Sequence, residues 1–366
     1  MFLARRNLFQ DKTRLALSIG GVALAVMLIL LLNGFLTGMN RQITSYLTFS
    51  PGSIVVAQKG VSNLLGATSL LPQNTMNEVE GINGVADVVP ILSQFVILDF
   101  HGKRQPAYLI GYEPERGGGP WKMATGREPQ NDSELVLDRV LAKRHNLQIG
   151  DSFQVMGQDF KIVGLSAGTS SWMTSFFFIR KSAVENLLRI PQATSFLLVT
   201  PVDGASQEDL KQRLGSIPGV NVLTKIEMGN NDLNLFAKVF SAPIKLMVAI
   251  AFLVGTLVIG LVIYTATVER QREYGVLKAI GAANWVLYRV VTVQALIAAF
   301  VGAMAGTLLA YAFGQWIMTI WPQFLVAFDP RDIGIALLSG LGMALLSALF
   351  PAWVISGLAP AEVFRK

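Results

Sequence analysis

Four apolar runs, each long enough to cross a bilayer as a helix, limit what this chain can fold into more than any other feature. The first occupies 15–38 and holds no charged residue; the others lie at 244–267, 285–320 and 333–356. About 20 apolar residues rising 1.5 Å each span a hydrocarbon core about 30 Å thick, and a run of that length satisfies its own backbone hydrogen bonds there as a helix. The second run carries Lys245 at its outer edge, where a lysine stem snorkels to water. A cleaved leader does not explain the first run, because its apolar part is too long and Asn33-Gly34-Phe35-Leu36 offers no small-residue cleavage pattern.

Composition agrees with a membrane protein. Of 366 residues 52% are hydrophobic and 15% charged, with a mean hydropathy of +0.48, too apolar for ordinary soluble usage. A net charge of +6 invites a nucleic-acid reading, but the bases cluster beside the spans, at Arg5, Arg6, Lys12, Arg14, Arg270, Arg272, Lys278, Arg289, Arg365 and Lys366. That is the positive-inside bias, which places both termini in the cytoplasm and predicts no nucleic-acid partner. With no cysteine there is no disulfide, thiolate metal site or cysteine nucleophile.

The predicted order is an interfacial helix over 1–14, the first span over 15–38 and a water-soluble domain over 40–242. A second span follows over 244–267, a charged helix over 268–281 and a third span over 285–320. An outer loop over 321–332 leads to the last span, 333–356, and a tail over 357–366. Strand-like runs at 53–58, 85–98, 106–112, 134–137, 153–165, 174–179 and 195–200 alternate with helical stretches at 75–80, 139–145, 182–189 and 206–214. The fold class predicted is therefore an α-helical membrane protein with four transmembrane helices and one α+β extracytoplasmic domain inserted between helices 1 and 2.

One segment between spans is densely charged: Glu269-Arg270-Gln271-Arg272-Glu273-Tyr274-Gly275-Val276-Leu277-Lys278-Ala279-Ile280-Gly281. It predicts a helix over 267–280 ended by a glycine cap at Gly281. Val276 and Ile280 share a face with Glu269 and Glu273, so charge and apolarity are mixed, as where protein touches more than one side; a helix lying on lipid segregates them. An ordinary positive-inside loop reads equally well from composition.

The run E-R-x-R-E-x-G-x-L-K-A-I-G-A between two spans resembles the signature of the MacB/FtsX-type permeases of ABC transporters. The stretch from Glu134 to Asp138, through Leu147 to Asp151, to Phe160 and Gly164 is similar to their extracytoplasmic domain, nearest in wording to the DevC-like exporters. The resemblance implies that Glu269, Arg270, Arg272, Glu273, Gly275, Leu277, Lys278 and Gly281 form a coupling helix docked on a separate ABC ATP-binding subunit. It implies a permease homodimer in the bacterial cytoplasmic (inner) membrane, exporting a hydrophobic or amphipathic substrate by mechanotransmission, with a membrane-fusion adaptor in some members. Drugs, haem, lipids and lipoproteins are substrates of such complexes. The alternative it allows is an FtsX-like signalling permease that regulates an outside partner and transports nothing.

Two absences fit a permease driven by another subunit. The spans hold no mid-membrane acids or bases of the kind ion-driven carriers keep, and no G-x-x-x-x-G-K-[ST] phosphate loop occurs. No cofactor is expected. In the third span Gly302, Gly306, Ala310 and Gly314 recur every four residues, a small-residue face that allows close helix approach, either within the chain or along a dimer seam. Gly164-Leu165-Ser166-Ala167-Gly168 matches a nucleophile-elbow pattern, but no helix is predicted after it and His101 and His145 both precede it. Trp121 and Trp172 are candidate exposed contacts, whereas Phe176, Phe177 and Phe178 fit a strand buried on both faces.

Overall fold

The computed structural model describes residues 12–100, 102–171 and 175–356. The predicted interfacial helix over 1–14, apart from its last three residues, lies outside them, as do the tail 357–366, His101, Trp172 and Met173. The chain divides into two compact units. One comprises the residues up to Gly38, Phe240–Trp321 and those from Val326 onward; the other comprises Met39–Val239 with Pro322–Leu325.

In the first unit the long helices are α1 (Lys12–Ile43), α7 (Lys225–Glu269), α9 (Asn284–Ile320) and α10 (Pro330–Ser356). Each contains a stretch long and apolar enough to cross a membrane: Leu15–Ile43, Lys238–Glu269, Asn284–Ile320 and Pro330–Leu349. Their inner faces meet in one core in which Val22, Val26, Ile29 and Leu30 of α1 pack with Val291, Ala295, Ala299 and Ala303 of α9 and Met343 and Ala344 of α10. Outward faces are as apolar as the core: Leu257, Leu261, Leu308 and Leu338 are all at least 64% exposed, which suits a hydrocarbon surround. At one end Thr37 Oγ1 donates to Asp332 Oδ2 at 2.9 Å and Ala327 N to Gly34 O at 2.9 Å.

The small-residue row of α9 is filled from within the chain. A Cβ on Gly302 would stand 2.6 Å from Val22 Cβ and 2.8 Å from Ile19 O, and one on Gly306 would stand 2.5 Å from Ala23 O. Ala310 is fully buried, and a Cβ on Gly314 would meet Phe328 at 3.1 Å. Small side chains at this spacing bring α9 and α1 within backbone contact.

The second unit is built on a ten-stranded sheet in the order β10-β1-β9-β2-β3-β8-β5-β7-β4, with β6 paired to β7. The strands are β1 (Ile54–Gln58), β2 (Val85–Phe100), β3 (Lys103–Tyr112), β4 (Met123–Gly126), β5 (Glu134–Asp138), β6 (Ser152–Val155), β7 (Gln158–Ser166), β8 (Ser175–Arg180), β9 (Phe196–Pro201) and β10 (Val220–Thr224). The 16-residue β2 joins two halves: Val85–Ile91 pairs with β9 and Leu92–Phe100 with β3. The short α2 (Ser45–Phe49) follows α1, and on the β9 side helices α3 (Thr75–Glu80) and α6 (Gln207–Leu214) cover a core that includes Val56, Val79, Val88, Leu197 and Leu214. Toward β5, helices α4 (Arg139–Arg144) and α5 (Lys181–Leu188) cover Leu109, Leu135, Phe160, Phe177 and Val184. Together these observations give four membrane helices with one α+β domain between the first and second.

Three details differ from the sequence reading. The run 153–165 is two strands and not one, divided at the Met156-Gly157 pair that the sequence marks as a turn, where both residues take positive φ (50° and 87°), the hairpin geometry that matches strand twist. Strands β4 and β10 were not anticipated; β4 is short and exposed, so it carries no alternation to read. The helix of the second span begins at Lys225 and runs 45 residues through Pro243, about 67 Å. Proline removes one backbone donor and normally ends a helix; here residues 225–239 are anchored to the outer domain by the buried Met228 and Asp232, and the helix continues across it.

Candidate functional site

The charged segment folds as a separate short helix, α8 (Gln271–Ala279), and not as one helix from 267 to 280. Arg270, at φ −98° and ψ 15°, breaks it from α7. At its other end Gly281 takes φ +96°, where its N–H reaches Lys278 O at 3.0 Å and Ala282 N reaches Leu277 O at 2.9 Å. This pair of bonds is the glycine-capped Schellman ending, which only a residue tolerant of positive φ makes without strain. Glu273 in the first turn and Lys278 in the last complement the helix dipole.

Burial separates the predicted coupling residues into two sets. Tyr274 is 4% exposed and joins the core of the membrane unit, with Leu277 packed against it; burial pushes the Tyr274 hydroxyl pKa up. Gly275 is buried within the chain's own fold. Arg270 and Lys278 flank this inward side and are half-buried, with Arg270 Nη1 3.8 Å from Glu273 Oε2. The opposite side of α8 presents Arg272 and Glu273 to the exterior, together with Val276 (46% exposed) and Ile280 (77%); Glu269 before it and Trp285 (68%) at the start of α9 are exposed as well. Exposed apolar side chains beside charges of both signs are the composition of a protein-binding surface. Val276 and Ile280 were legible on the helical wheel; Trp285 was not, because it follows the cap at Gly281 and belongs to the next helix.

The outer domain's polar clusters are structural. Asp138 caps α4, accepting from Val140 N at 2.8 Å and Leu141 N at 3.2 Å, and receives Thr169 Oγ1 at 2.6 Å. Burial pushes its pKa up, while those hydrogen bonds pull it back. Thr169 Oγ1 in turn lies 2.6 Å from Ser166 Oγ. Ser166 is fully buried, so the nucleophile-elbow pattern marks a tied strand end and offers no accessible nucleophile. His145 stacks on Phe100 at 3.8 Å, and among the described residues no cluster of His, Cys, Asp or Glu is arranged to hold a metal. Trp121 is half-buried, stacked on Phe49 at 5.6 Å and edge-on to Phe176 and Phe178, while Phe176, Phe177 and Phe178 are at most 4% exposed.

Comparison with known proteins places this architecture. A MacB-like periplasmic core domain matches residues 15–217, and an FtsX-like permease C-terminal domain matches residues 245–360. An uncharacterized ABC transporter permease of Mycobacterium bovis is 26% identical over 98% of this chain and 99% of its own. A putative hemin transport system permease protein, HrtB of Staphylococcus haemolyticus, is 24% identical over 76% of this chain and 75% of its own. The crystal structure of the periplasmic region of MacB from Actinobacillus actinomycetemcomitans aligns at a TM-score of 0.37 and 16% identity, covering 50% of this chain and 93% of that one. The first domain alone spans more than half of the sequence and the second takes in the last three membrane helices, so the chain belongs to the MacB/FtsX-type family of ABC transporter permeases.

Proposed function

We propose that this chain is the permease of an export complex in which a separate ATP-binding subunit docks on the exposed side of α8 and drives motion of the spans and outer domain. The observation that carries this reading is the exposure on α8 and at its end of apolar Val276 and Ile280 beside charged Arg272 and Glu273, opposite the buried Tyr274 and Gly275. This surface occupies the link between two membrane helices, where a docked subunit pushes on both. Tyr274, Gly275 and Leu277 hold α8 to the bundle, so force applied to one side reaches the helices on the other. Arg270, Arg272, Lys278 and Arg289 surround this link, which supports placing it on the cytoplasmic side of the inner membrane, with both termini there and the sheet domain outside.

The active unit is a homodimer. The α9 row is occupied by α1 and Phe328, which leaves other apolar faces for the seam. Leu246, Ile250, Leu253 and Leu257 lie exposed on α7 at 4-3-4 spacing, the spacing of a helix-pairing seam. The substrate is hydrophobic or amphipathic; a relative named for hemin transport supports that class. Reconstitution of the permease with its ATPase in proteoliposomes tests the reading: amphiphiles raise ATP turnover and leave the membrane. If ATP turnover responds to no amphiphile but tracks the activity of an outside protein, the complex is a signalling permease and export is wrong.

A further inference from the structure

The outer domain contains a cavity of about 660 Å³, within the roughly 300–1,000 Å³ of small-molecule sites. Its walls include Met39 and Ile43 of α1, Tyr108 of β3, Phe176 of β8, and Leu235 and Phe236 of α7. Met39 and Ile43 belong to the last turns of the helix that forms the first span, and Phe236 precedes by two residues the segment that forms the second. The cavity's walls thus continue the two helices that carry the first and second candidate spans.

The lining chemistry narrows the ligand. Among the described residues lining the cavity none is Lys, Arg, Asp or Glu, so a charged group entering would lose its hydration without a counter-charge. One polar atom is left over. Gln42 Nε2 donates to Gln323 O at 3.0 Å and to Ser170 O at 3.3 Å, which fixes the orientation of the amide. Its Oε1 is then buried without a hydrogen-bond partner, an arrangement that costs about 1–3 kcal/mol until a donor arrives. The apolar wall also continues outward: on the β2–β3 hairpin Phe95 pairs with Tyr108 and Ile97 with Pro106, and Phe95 and Ile97 remain 48% and 62% exposed. The wall formed by the loop at 64–66 is preset, because Asp232 Oδ1 accepts from Leu65 N at 3.1 Å and Tyr108 Oη from Gly66 N at 2.5 Å. A preset wall lowers the ordering cost of binding.

We infer that this cavity binds one neutral, chain-like amphiphile, its hydrocarbon chain against Tyr108, Leu235 and Phe236 and continuing along Phe95 and Ile97, with a hydroxyl or amide N–H donating to Gln42 Oε1. The inference rests on the export reading for its purpose, since it supplies that permease with a holding site inside each copy.

The experiment uses the full chain in lipid nanodiscs without ATPase or nucleotide. The probe is a monoacylglycerol carrying a photoreactive diazirine in its chain, and crosslinked peptides are mapped by mass spectrometry. Saturable labelling of the peptides around 39–43, 65–68 and 235–236 is expected, with capture of the glycerol ester roughly three- to tenfold better than capture of its dimethyl ether. Leu235→Trp, which fills the cavity, should abolish this labelling, and Gln42→Met should remove the preference for the free hydroxyl while labelling of the same peptides persists. Labelling confined to the outward faces of the spans, labelling unchanged in Leu235→Trp, or equal capture of ester and ether by the wild type would overturn the site. ATP turnover of the reconstituted complex reads the export proposal separately: a permease stimulated by amphiphiles but unlabelled here keeps the export reading and loses the cavity.

Discussion

Gly306→Ala is a change of one methyl group whose consequence follows from the packing of α9 on α1. The added Cβ would lie 2.5 Å from the carbonyl oxygen of Ala23 and 3.1 Å from its Cα, and neither backbone atom swings aside as a side chain does. The two helices must separate, which loosens Val22 and Val26 from the core they share with Ala299 and Ala303. Overpacking of this kind costs about 1–3 kcal/mol, offset by up to about 1 kcal/mol for replacing Gly with Ala inside a helix. The net expectation is a loss of roughly 1–2 kcal/mol. Gly20→Ala is the control, because nothing lies within 4 Å of its added Cβ and only the favourable helix contribution remains. Unfolding in mixed micelles of increasing SDS fraction, followed by circular dichroism, measures both. Gly306→Ala should unfold at a lower SDS fraction than wild type and Gly20→Ala at the same or a higher one. A Gly306→Ala chain as stable as wild type that has lost only its crosslinking to a second copy would show that the row is a seam between copies, contradicting this packing.

Three further outcomes are expected. Because the chain lacks cysteine, single cysteines report cleanly: at Gln130 and Gln323 they should react with an impermeant maleimide from outside the cell and at Gln271 they should not, and the reverse pattern would invert the membrane orientation. Cysteines at Leu253 or Leu257 should give disulfide-linked dimers in the membrane whereas one at Leu308, on α9, should not; dimers from Leu308 alone would move the seam. The side-chain bond from Arg127, 2.6 Å from Glu134, holds that carboxyl down at about 2 from its ordinary 4.5, so its contribution is present above about pH 4.5 and fades as pH falls toward 2. Arg127 is 45% exposed, and solvent screening keeps the effect small. The thermal midpoint of Arg127→Met should therefore fall less steeply than that of wild type over this pH range, and parallel curves would mean the pair stabilises nothing.

How much of this was legible in the sequence varied with the range of the interaction. The spans were readable because hydropathy over 20 residues is a local property, and α3 at Thr75–Glu80 because it ends at Gly81. The αL cap at Gly281 was readable too, since a glycine after an apolar turn has few other uses. The buried, unpaired Oε1 of Gln42 was not, because it depends on carbonyls at Ser170 and Gln323, 128 and 281 residues away. The extension of α7 back to Lys225 was hidden by Pro243, a local signal that the contacts of Met228 and Asp232 outweigh. The two sides of α8 were half legible: the wheel grouped Val276 and Ile280 with Glu269 and Glu273, but only the packing of Tyr274 showed which side the bundle covers.

The central claim is that the outward side of α8 is where an ATPase transmits work, and the direct measurement is coupling in the reconstituted complex after charge reversal. Arg272 and Glu273 are exposed, so Arg272→Glu together with Glu273→Arg should leave expression unchanged and lower the SDS unfolding midpoint of the permease only slightly, through the lost Arg270 pair and dipole contribution. Tyr274→Ala, on the inward side, should lower that midpoint further. Co-purification of the ATP-binding subunit and substrate-stimulated ATP turnover should both drop by at least about tenfold in the double reversal, the loss of roughly 1.4 kcal/mol or more of docking energy. A double-reversal complex that assembles, turns over ATP and exports substrate as wild type does would contradict the account, leaving α8 as a charged link between two spans.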